Sequence, residues 1–102
     1  MRGILDFSWD VTPLTEAEAM LEKTARACLR AGGAACTVFN GANERAAEGY
    51  FAGQIGFSDI EDCVEYALNT VENRPADSIE AIAAVDAEAR RAAETFIRKY
   101  GK

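Results

Sequence analysis

The sequence predicts an all-α fold: a four-helix-bundle-like domain over residues 15–102 with a short extra helix and, over residues 1–14, an extended N-terminal arm. Three observations point there. Two capping-box signatures, Thr15-Glu16-Ala17-Glu18 and Ser58-Asp59-Ile60-Glu61, each precede apolar residues at helical spacing. Gly32-Gly33, Gly53 and Pro75 stand where those runs should stop. A strand-like alternation occurs near the N-terminus, and no matching strand follows Gly41 to make a hairpin.

That alternation is the arm. Leu5, Phe7, Trp9 and Val11 point one way, Asp6, Ser8 and Asp10 the other, and Thr12-Pro13 closes the run. A single strand leaves backbone groups unpaired and an apolar face uncovered, so it needs another part of a larger protein or a second copy of the chain.

The first helix is expected over residues 16–31. The Thr15 hydroxyl and Glu18 carboxylate would satisfy first-turn amides, and Ala17, Met20, Leu21, Thr24, Ala25, Cys28 and Leu29 form its stripe. Gly32-Gly33 supplies the left-handed C-terminal cap that glycine adopts without strain. The second helix is expected over residues 35–53. Thr37, Val38 and Phe39 have β preferences, but Ala46-Ala47 and Tyr50-Phe51 suit a helix buried on one side.

Ser58 opens the third helix, whose stripe is Ile60, Cys63, Val64, Ala67, Leu68 and Val71. Pro75 is expected to end it, since Arg74 before it is driven from helical dihedrals. The last apolar set is Ile79, Ile82, Ala89, Ala93, Phe96, Ile97 and Tyr100. One unbroken helix would place Asp86 on the buried face of that set, an expensive position for a carboxylate. The expectation is therefore a break near Val85, a short helix over 78–84 and a long one over 87–100 capped by Asp86.

Composition narrows the function. With 102 residues the chain makes one domain, long enough to bury a small core without metals or disulfides. Its net charge of −6 disfavours nucleic acid and anionic membranes as partners. The densest cations, Arg90, Arg91, Arg98 and Lys99, sit in the last helix, where they complement its dipole. The chain shows no signal-peptide pattern and no membrane-length apolar run, so it reads as cytoplasmic. It has no histidine, which excludes Ser-His and Cys-His nucleophilic chemistry and the commonest neutral metal ligand. Cys28, Cys36 and Cys63 form no C-x-x-C pair and read as reduced thiols.

The remaining constellations favour structure over chemistry. Asp59, Glu61, Asp62 and Glu65 crowd the start of the third helix without a calcium-loop pattern, and the helix dipole favours acids there. Glu44 and Glu48, one turn apart behind Asn40 and Asn43, are the only acid–base pair worth weighing. The glycines fit neither G-x-G-x-x-G nor a P-loop. Phe7, Trp9, Phe39, Tyr50, Phe51, Phe57, Phe96 and Tyr100 read as bulk to fill the core among many alanines. These residues give no catalytic, cofactor-binding or metal site.

Four motifs in order carry a resemblance over nearly the whole chain: Leu5-Asp6-Phe7, Asn40-Gly41-Ala42-Asn43-Glu44, Gly53-Gln54-Ile55-Gly56-Phe57-Ser58-Asp59-Ile60 and Val85-Asp86-Ala87-Glu88-Ala89-Arg90. Together they resemble the C-terminal helical domain of 1-deoxy-D-xylulose 5-phosphate reductoisomerases, enzymes of non-mevalonate isoprenoid synthesis. Gly41 replaces an alanine of that pattern, Arg45 and Glu48 replace small or apolar residues, and residues 10–22 match poorly.

The resemblance implies a support domain whose parent enzyme binds NADPH in a Rossmann domain, and substrate with Mg or Mn in a central domain. It implies those two domains as partners, with no cofactor and no site residue in this chain. The alternative is an independent helical interaction module that dimerises or captures a partner through its arm.

Overall fold

A computed structural model describes residues 12–101. Its elements are α1 (Thr12–Ala31), α2 (Ala35–Phe51), α3 (Asp59–Thr70) and α4 (Ile79–Tyr100). The fold is all-α, as expected, with four helices among the described residues. The alternating set Leu5, Phe7, Trp9 and Val11 lies outside them.

Three expected boundaries move and one expected cap does not form. α1 begins at Thr12, so Thr15 lies inside the helix and not before it. Pro13 allows this, because its missing N–H belongs to a first-turn position that has no partner anyway. Ser58 has helical dihedrals and makes no side-chain cap, so the second capping box does not form. Its work passes to Asp59, whose Oδ2 accepts from the Gly56 amide at 2.8 Å. α3 ends at Thr70, well short of Pro75. There Val71 turns extended and is buried in the core, while the Thr70 hydroxyl donates to the Tyr66 carbonyl at 2.7 Å.

The fourth correction is the largest. α4 runs unbroken through Asp86, and the separate helices over 78–84 and 87–100 are one. The carboxylate that argued for a break is not stranded. Asp86 Oδ2 accepts from Arg90 Nε at 2.8 Å, one turn on, and stays partly exposed. Ser78 caps the helix, its Oγ accepting from the Ala81 amide at 3.0 Å.

The turn between α1 and α2 uses both glycines, with φ of 71° at Gly32 and 61° at Gly33. Asn73, beyond α3, reaches back to accept from the Ala34 amide at 2.8 Å. It caps α2 from a distance. Gly53, at φ 78°, reverses the chain after α2.

The core lies between α2, α3 and α4 and is built from small side chains. Ala42, Ala46, Ala67, Ala89 and Ala93 are fully enclosed, and the largest fully buried residues are Val38, Val64, Val85 and Cys63. Small residues let helix axes approach closely. At Gly41 an added Cβ would lie 2.6 Å from Asp86 Oδ1 and 3.4 Å from the Ala89 Cβ.

Aromatic bulk does not fill this space. Phe96 is buried and Phe39 and Phe57 are half-buried, but Tyr50, Phe51 and Tyr100 are exposed. Tyr50 packs edge-on to Phe57 at 5.5 Å, and Phe96 meets Tyr100 at 4.9 Å, both near the helix termini. The close α2–α4 crossing leaves no room for rings further in.

Candidate docking site

α1 packs on α2 and α3 but makes no contact with α4 among the described residues. That gap is an open groove of about 770 Å³, floored by the first turns of α2. α1 contributes Ala25, Cys28 and Leu29; α4 contributes Ile79, Ile82 and Asp86; Cys36, Phe39 and Asn40 complete it.

Leu29 is 72% exposed, Ile79 84% and Ile82 43%. All three were expected to face the core, and the structure puts them outside it. Periodicity told correctly that they belong to apolar stripes, but the stripes are wider than the core they meet. Covering one such side chain stabilises by about 1.5–3 kcal/mol, so this face favours an apolar partner.

The Glu44–Glu48 pair does not converge. Glu44 is held by Arg90, which also binds Asp86, while Glu48 faces Arg45 at 4.0 Å. The carboxylates on either side raise the Arg90 guanidinium pKa, Asp86 first and Glu44 second. Asn40 stands exposed on the groove, and Asn43 is half-buried. Asp86 and Arg90 are one helical turn apart, a spacing that could have revealed this network from sequence.

The acids of α3 also separate. Asp59 holds the Gly56 amide and Asp62 is exposed. Glu61 is buried, with Thr24 Oγ1 of α1 donating to its two oxygens at 3.0 and 3.3 Å. Burial, then a hydrogen bond shared with Glu65, pushes the Glu61 carboxyl up to about 7. No group of three or more His, Cys, Asp or Glu side chains among the described residues is placed to hold a metal ion.

The cysteines are unpaired: Cys28 and Cys63 are buried and Cys36 is exposed. Burial raises Cys28 and pushes Cys63 up to about 11, away from thiolate chemistry. Arg91, Arg98 and Lys99 are exposed, the last two in the final turn of α4.

Residues 7–92 match the family described as the DXP reductoisomerase C-terminal domain. This chain belongs to that family. A 1-deoxy-D-xylulose 5-phosphate reductoisomerase from Acinetobacter baumannii (strain ATCC 17978) is 44% identical over 77 residues, 76% of this chain and 19% of that protein. The same-named protein of Xanthomonas campestris pv. campestris (strain 8004) is 42% identical over 99 residues, 97% of this chain and 24% of that protein. One from Paraburkholderia xenovorans (strain LB400) is 45% identical over 71 residues, 70% of this chain and 18% of that protein.

The chain thus spans about a fifth of the length of the curated relatives it matches. The matched region of the DXP reductoisomerase C-terminal domain takes in every residue of the groove. At Gly41 the space that a methyl group would need holds the Asp86 carboxylate. Arg45 is only 20% exposed in its side chain and acts on the buried Cys63. No helix among the described residues is long and apolar enough to cross a membrane.

Proposed function

We propose that this chain is a cytoplasmic, non-catalytic support domain that docks through the α1–α2–α4 groove onto the catalytic part of a reductoisomerase. NADPH and the divalent metal belong to that partner, which would carry the Rossmann and metal-binding domains. The observation that carries the proposal is the pairing of a family match over residues 7–92 with an apolar groove left open among the described residues. The separation of Glu44 from Glu48 by their own arginine partners supports a structural role for these acids.

The purified chain, given NADPH, Mg²⁺ and 1-deoxy-D-xylulose 5-phosphate, is expected to consume no NADPH. Steady turnover by pure protein would overturn the proposal. Light scattering reads the alternative: a dimer that Trp9→Asp converts to monomer would replace support by self-association through the arm.

A further inference from the structure

Glu61 is the one buried charged side chain among the described residues, 6% exposed at the seam between α1 and α3. Its contact with Thr24 is the only side-chain hydrogen bond joining α1 to another helix among those residues. Among the described residues no cation pairs with it. The charged groups acting on it are Glu65 and Asp62, both from α3 itself. α1 presents the Thr24 hydroxyl, with Lys23 lining the cleft beside Glu65. Arg45 of α2 is engaged with Glu48 and Cys63, and Arg90 of α4 with Asp86 and Glu44.

Besides that bond, α1 is held by a few apolar contacts, with Leu21 partly buried against the core. Ala17 and Cys28 are its buried apolar residues, while Met20 and Leu29 are exposed. A carboxylate without a counter-charge resists burial, whereas a neutral carboxyl accepts it at small cost. We propose that α1 is a proton-governed flap: it closes over Glu61 when burial there meets a neutral carboxyl, and ionised Glu61 loosens it, although the Thr24 hydrogen bond itself favours the ionised form.

The sign follows from the direction of the shift. Burial first, then the hydrogen bond with Glu65 of α3, raises Glu61 from 4.5 to about 7 against the lowering effect of Thr24, so whatever part of that stabilisation closure supplies is complete below the ordinary value and is lost as pH rises through neutrality. Opening would widen the groove, since α1 is one of its walls, and would uncover Val38, Leu68 and Val71 beneath it. The flap is a property of this domain and does not depend on the proposed support role.

Amide hydrogen exchange on the whole chain, expressed as protection over the intrinsic rate, tests it. Protection in α1 is expected to fall by roughly tenfold or more between about pH 5.5 and about pH 8, with that of α4 unchanged. Glu61→Gln, neutral at every pH, should make α1 protection independent of pH. Flat protection in the wild type, or a pH dependence that survives Glu61→Gln, would overturn the flap. Should the variant not fold, a carboxyl ¹³C titration of the wild type decides: a Glu61 midpoint near neutrality supports the flap, and one in the ordinary carboxylate range refutes it.

Discussion

The two sides of this domain are built on opposite plans. On one, α2, α3 and α4 meet through alanine, glycine, cysteine and valine, close enough that Gly41 has no room for a methyl group beside Asp86. On the other, α1 leans on α2 and α3 without reaching α4, and Leu29, Ile79 and Ile82 stand in solvent. The first side holds the fold. The second resembles one half of an interface, and the family's larger members offer a reason for it. Both sides use apolar residues, so what separates them is enclosure.

Substitutions break that comparison in graded steps. Ala89→Leu, in the closed α2–α4 crossing, should cost about 3 kcal/mol, whereas Leu29→Ala in the open groove should change stability by less than about 0.5 kcal/mol, both read by urea unfolding. Equal losses would mean that α1 belongs to the core. Next comes Gly33→Ala, which forces a methyl group onto positive φ and to 2.7 Å from Asn73 Oδ1. It should lose about 1–2 kcal/mol. Asn73→Ala should lose about 1 kcal/mol through the vacated cap, and the two together less than their sum, because they share one contact.

Gly41→Ala sharpens the comparison most finely. Alanine favours the helix by about 1 kcal/mol over glycine, but here its methyl must displace the Asp86 carboxylate. The net change should be within about 0.5 kcal/mol, turning into a gain of about 1 kcal/mol in an Asp86→Ala background. Thermal unfolding of the four proteins of that cycle reads the coupling. An equal effect in both backgrounds would show that Asp86 does not set the α2–α4 distance.

Much of this organisation was legible before any coordinates. The stripe of α3 landed where its spacing placed it, with Ile60, Cys63, Val64 and Ala67 buried, and Gly32-Gly33 closed α1 as glycine chemistry requires. What misled was treating each charged or bulky residue alone. Asp86 argued for a helix break until Arg90 was seen beside it, and Pro75 drew the end of α3 because burial of Val71 is a tertiary fact. Glu61 read as a dipole partner for α3. Its contact with Thr24, 37 positions away, leaves no trace in local sequence. The groove escaped for the same reason: periodicity marks an apolar face but does not say whether anything in the chain covers it.

A docking role for the groove predicts that this domain binds the rest of a reductoisomerase. Titrating this domain into a reductoisomerase that lacks its own C-terminal domain, with calorimetric detection, tests it most directly. The expectation is one-to-one binding that Leu29→Ser with Ile79→Ser weakens by about tenfold or more, while the domain's own melting midpoint moves by no more than about 2 °C. No binding, or binding that the double substitution leaves unchanged, would contradict it.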